Sequence, residues 1–150
     1  MIEFSFLLFM VVYWFSEGCT EGYTWAGVEK RVKNRLIFGA MHHDGTPNGE
    51  GILDYHSWRL GENIGTVGCI IVAFMMGKYL DKSFIDLGLI WLGSWMVGYF
   101  VYERALNYVC LGEAFAAKGD YHLMNITIPR SNLFDWIICV LGLVIFYLGY

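Results

Sequence analysis

The chain has 150 residues, of which 57% are hydrophobic, 18% aromatic and 16% charged, with a mean hydropathy of +0.47 and two prolines. An ordinary soluble domain carries about 45–50% apolar and about 25% charged residues, so this composition excludes disordered, collagen-like and linker-rich architectures and points to one compact membrane domain. A net charge of −4 with ten Lys and Arg supplies no basic excess to neutralise phosphates, and no nucleic-acid partner is expected.

A bilayer core about 30 Å thick requires about 20 apolar residues as helix, and four segments meet that need. The first covers residues 2–25: an apolar run over 2–15 continues as helix to Trp25. The only charge ahead of that run is Glu3, and no small-x-small cleavage site follows, so the segment reads as a retained anchor rather than a secretory signal. The connection over 27–61 opens on a basic stretch containing Lys30, Arg31, Lys33 and Arg35, then turns through His42, His43, Asp44 and Gly45. Its glycine-rich part, 39–51, lacks the Gly-Lys-Ser/Thr ending of a phosphate loop; it reads as a connecting loop or as a lid.

The second span covers 62–80 and has a small residue at every fourth position, Gly61, Gly65, Cys69, Ala73 and Gly77. Small residues let neighbouring backbones approach where lipid offers no hydrophobic drive for association. The short link 77–83 predicts an antiparallel hairpin with the third span, 84–105, whose Gly88, Gly93, Ser94 and Gly98 answer that stripe; a homo-oligomer seam is the alternative. The connection over 108–131 leads to the last span, 133–150, expected to be an apolar wall. The chain is thus predicted to be all-α, a single transmembrane domain forming an integral membrane four-helix bundle with two long cytoplasmic-side connections.

The two long connections and their flanks carry Lys30, Arg31, Lys33, Arg35, Arg59, Arg104, Lys118 and Arg130, whereas the 77–83 link carries Lys78 and Lys82. This asymmetry predicts cytoplasmic long connections and both termini on the non-cytoplasmic side.

Ionisable residues inside spans are costly and mark a partner or a function. At about 100° per residue, Tyr13, Glu17, Thr20, Glu21 and Thr24 share one arc of the first helix. A second helix entering the membrane from Asp54 gathers His56, Arg59, Glu62, Asn63 and Thr66 on one arc. The third contributes Tyr99, Tyr102, Glu103 and Asn107. All three sets lie at the end of the long connections, so they are expected to converge, while the opposite end has only Asp86 and the charges of the 77–83 link.

Three readings fit this cluster. One is a hydrogen-bonded network of Glu17, Glu21, Glu62 and Glu103 with Arg59, Arg104 and the histidines, fixing helix register. Another is a metal centre with His56, Glu17, Glu21, Glu62 and Glu103 as candidate ligands, since carboxylates and imidazole from facing helices suit iron, manganese, zinc or copper; no Glu-x-x-His spacing is present, and His42, His43 and Asp44 are loop candidates to cap it. The third is a polar cavity or ion path in which Arg59 and Arg104 hold an anionic head group.

Cys19, Cys69, Cys110 and Cys139 form no CxxC and read as packing thiols. Neither Gly-x-Ser-x-Gly nor His-Glu-x-x-His occurs, so nucleophilic catalysis has no motif. The residues identify no known family. Two functions follow: an accessory or structural subunit of a membrane complex, in contact with the lipid bilayer and assembled as a homo-oligomer or with other chains; or a metal-dependent enzyme acting on a lipid or hydrophobic small molecule, with Arg59 orienting the substrate.

Overall fold

The computed structural model describes residues 1–29, 55–115, 121–123, 126–128 and 131–150. The architecture is all-α, with helices α1 (Ile2–Glu29), α2 (Tyr55–Tyr79), α3 (Phe84–Leu111) and α4 (Asn132–Gly149). A short antiparallel ribbon precedes α4, pairing β1 (Tyr121–Leu123) with β2 (Ile126–Ile128). Each long helix contains an apolar stretch able to cross a membrane: Ile2–Gly22, Ser57–Tyr79, Phe84–Val109 and Asn132–Gly149.

Local sequence fixes the helix ends. Asp81, with φ 47°, turns the chain after α2; Asp is one of the few side chains that tolerate this left-handed backbone. Ser83 then caps α3 with a reciprocal capping box: its hydroxyl accepts the Asp86 amide at 3.2 Å, and the Asp86 carboxylate accepts the Ser83 amide at 3.1 Å. At the far end Gly112, at φ 81°, donates to the Tyr108 carbonyl at 3.0 Å and closes α3, a position that only glycine adopts without strain. Ser131 caps α4 through the Phe134 amide at 3.2 Å.

The extensive interfaces are α1 with α2, α1 with α3, and α3 with α4. Helix α1 therefore stands between α2 and α3, and the small-residue hairpin expected from the sequence is replaced by packing on α1. The buried face of α2 runs through Glu62, Gly65, Gly68, Val72 and Met76, following the helical period. A strict every-fourth stripe advances about 40° per step on a helix of about 100° per residue, so Ala73 and Gly77 rotate out and are exposed. Gly65 meets α1 closely: a Cβ there would lie 2.7 Å from the Tyr13 Cα. On the other interface, Gly93 of α3 and Gly142 of α4 face each other, with the Gly93 carbonyl 2.9 Å from where a Gly142 Cβ would stand.

All four helices contribute to one apolar cluster towards the α2–α3 link: Phe6 and Met10, Val72 and Met76, Ile90, and Phe146. Phe4 adds ring contacts with Phe146 at 5.5 Å and Tyr150 at 5.3 Å. The polar residues lie beyond this cluster, towards the other end.

Candidate functional site

Glu17 and Glu21 stand one turn apart on α1, and the close approach of α2 brings Glu62 against them. Gly61 and Gly65 make this possible, since side chains there would strike Ser16 and Tyr13. Glu62 is only 7% exposed. Its Oε2 accepts from Arg59 Nη1 at 2.7 Å, three residues earlier on the same helix, while Oε1 is buried and has no hydrogen-bond donor. Tyr13, Glu17, Glu21, Arg59 and Glu62 are close enough to act on one another electrostatically. Thr20 and Thr66, on the same polar arcs, turn back on their own helices, donating at 2.9 Å to the carbonyls of Ser16 and Glu62.

Helix α3 closes the cluster from the other side of α1. Gly18 and Gly22 let α3 approach, because side chains there would collide with the Tyr102 carbonyl and with Val109. The Tyr102 hydroxyl then donates to the Glu21 carboxylate. Tyr99 stacks on Tyr102 with ring centres 6.0 Å apart, and Trp95 on Tyr99 at 5.9 Å. Trp14 stands edge-on to Tyr13 at 5.3 Å and Tyr102 at 5.6 Å, in the space that Gly98 leaves.

The structure thus joins Glu17, Glu21, Arg59 and Glu62 with Tyr13 and Tyr102 of the same arcs. Glu103 is buried on α3 and has partners of its own. His56 lies in the first turn of α2, but its side chain, like that of every histidine here, is outside the described residues. His42, His43 and Asp44 lie outside them altogether. Among the described residues, no three His, Cys, Asp or Glu side chains gather closely enough to hold a metal ion.

Arg104 does not join the cluster. Its guanidinium is ion-paired with Asp135 of α4 and donates to Asn132 Oδ1 at 2.7 Å, lying 5.3 Å from the Phe100 ring centre and 5.1 Å from that of Phe115. It borders an apolar cleft of about 310 Å³ lined by Phe15, Cys19, Phe100 and Tyr108 among others. With its charge answered by Asp135, Arg104 is not the free anion holder that the sequence suggested. Nor is α4 a purely apolar wall. A signal for this was present: Asp135 is the sole charge in the most apolar span, with mean hydropathy 2.0, and it sits in the first turn, where the helix dipole favours an anion.

The opposite end is also less bare than expected. Lys82 lies 3.7 Å from Glu3 Oε1, donates to the Gly149 carbonyl at 3.0 Å, and also reaches the Tyr150 carbonyl. Glu3, Lys82 and the end of α4 therefore meet beyond the Phe6 cluster.

Comparison with known protein families, with characterised proteins and with solved structures finds no match. The fold defines the class: a multi-pass helical membrane protein whose spans contact the lipid bilayer. Its described charges are answered largely by neighbouring side chains across or along the helices.

Proposed function

We propose that this chain is a single transmembrane domain serving as an accessory or structural subunit of a membrane complex, assembled with copies of itself or with other chains. The observation that carries this reading is the bare side of α2. Helix α2 has an extensive interface with α1 alone, and its other side exposes Leu60, Ile64, Val67, Ile71 and Phe74. These follow the alternating four- and three-residue spacing of a coiled-coil seam. Asn63 is exposed beside them, and an amide at membrane depth favours a partner helix that returns its hydrogen bonds.

The internal pairing of charge supports the same reading. Arg104 with Asp135 and Tyr102 with Glu21 use polar groups to hold helices in register, which is the work of a scaffold, and Arg59 answers Glu62 within α2. The metal-dependent enzyme has in its favour the number of carboxylates at one depth. Against it stands Arg59, whose cation already neutralises Glu62 where a metal would have to bind. The eight Lys and Arg in and flanking the long connections favour the cytoplasmic side for them, with both termini on the other face.

Two measurements test this. Extraction in mild detergent followed by mass determination of the intact particle is expected to give an assembly well above the 17.2 kDa chain after subtraction of detergent; a clean monomer overturns the proposal. Labelling of single cysteines with a membrane-impermeant reagent on intact cells is expected to modify Lys78→Cys and spare Lys33→Cys; the reverse pattern overturns the orientation.

A further inference from the structure

Asn63 is exposed on α2, inside the span Ser57–Tyr79, and among the described residues nothing bonds its carboxamide. A polar group that faces hydrocarbon without hydrogen bonds is costly. Its polar neighbours are already served within the chain, Glu62 by Arg59 at 2.7 Å and Thr66 by the Glu62 carbonyl at 2.9 Å. At about 100° per residue, Asn63, Val67, Ile70 and Phe74 fall within an arc of about 60° that points directly away from the buried line of Gly65, Val72 and Met76. The amide therefore stands in the middle of the bare side of α2, not at its edge. The exposed side of α4 differs. It is apolar at Leu133, Ile137, Val140 and Val144, and the only amide side chain of that helix, Asn132, is bonded to Arg104 and to the Phe115 carbonyl.

We infer that the partner of this side is a second copy of the same chain, with the two α2 helices parallel about a two-fold axis and Asn63 hydrogen-bonded to Asn63; this rests on the subunit reading above and names its partner. Copies that insert in one orientation are related by an axis along the membrane normal, which places equivalent residues of the two helices at one depth. A carboxamide offers an oxygen acceptor and two N–H donors, so it is complementary to itself across that axis, much as a lone Asn in a coiled-coil seam selects the in-register pair. Val67, Ile70 and Phe74 extend the contact as apolar side chains on the same line. Arg59 stands at the flank with its charge answered by Glu62 of its own helix, so the axis does not set two bare cations against each other. The outer side of α4 is left to lipid.

The test is Förster transfer between donor- and acceptor-labelled copies of the full chain in lipid bilayers, read against the protein-to-lipid ratio. Asn63→Leu is expected to raise the dissociation constant about 5- to 30-fold, the span for one amide pair between membrane helices, and Asn63→Gln, which keeps the carboxamide, to recover most of it. Both variants should melt like wild type, because Asn63 serves no contact within the chain. Oxidation in membranes gives the geometry: Val67→Cys should yield a band at twice the chain mass, and Val140→Cys on α4 should match the wild-type blank. Self-association that Asn63→Leu leaves unchanged, or cross-linking at Val140→Cys in place of Val67→Cys, overturns the inference and leaves the subunit reading standing. A particle built with other chains and no transfer between copies does the same. A monomer in both bilayers and mild detergent overturns the two together.

Discussion

The guanidinium of Arg104 on α3 and the carboxylate of Asp135 on α4 are paired with side chains only 10% and 4% exposed. In a membrane this pair fixes both the rotation and the depth of α4 against α3, since no other charge in α4 is available to Arg104. Removing one partner strands the other. Arg104→Ala is expected to destabilise by about 3–5 kcal/mol, as for other buried pairs broken on one side. The double variant Arg104→Met with Asp135→Leu should recover most of that loss. Thermal unfolding in detergent checks both, and equal losses for the single and double variants would contradict the assignment.

Glycine content alone does not locate the helix interfaces, but geometry separates the glycines cleanly. Gly65→Ala puts a methyl 2.7 Å from the Tyr13 backbone and should pry α1 from α2, lowering the melting temperature. Gly77→Ala meets nothing within 4 Å and should be neutral or stabilising by up to about 1 kcal/mol through helix propensity. Melting curves of the two variants side by side decide the matter.

Tyr102→Phe removes the hydroxyl that Glu21 accepts from while keeping the ring stacked on Tyr99 and edge-on to Trp14. A loss of about 1.5–3 kcal/mol is expected, the range for hydrogen bonds to charged groups. An unchanged melting temperature for Tyr102→Phe would assign the residue's contribution to its ring rather than to the Glu21 contact.

Ser83→Ala breaks the capping box at the start of α3 and should cost about 0.5–2 kcal/mol. The loss should show first as increased amide hydrogen exchange in the opening turn of α3. Unchanged exchange there would contradict the cap's role.

The existence and approximate limits of all four spans were legible because hydrocarbon demands long apolar runs, a signal that no other solvent writes so plainly. The polar arcs that hold Glu17, Glu21 and Glu62 are legible because helical angles alone set which residues of one helix share a face. The order of helices was not legible. A short α2–α3 link limits the distance between their ends but not which faces meet, and the stripe ending in Gly77 gave equal weight to glycines that the helical period separates. Arg104 was misassigned for a related reason. Its place beside Glu103 in sequence suggested the cluster, yet consecutive residues point about 100° apart on a helix, and Arg104 turns to α4. Asp135, a single acid among apolar residues, forms no repeating pattern and signals only an isolated cost that requires a partner.

The central claim is that the polar residues of α1, α2 and α3, with Arg59 on Glu62 and Tyr102 on Glu21, serve the packing of the helices rather than the binding of a metal. Elemental analysis of natively extracted protein beside its Glu62→Ala variant tests it most directly. The account predicts no stoichiometric iron, manganese, zinc or copper in either sample. A near-stoichiometric metal in the native protein that Glu62→Ala abolishes would contradict it.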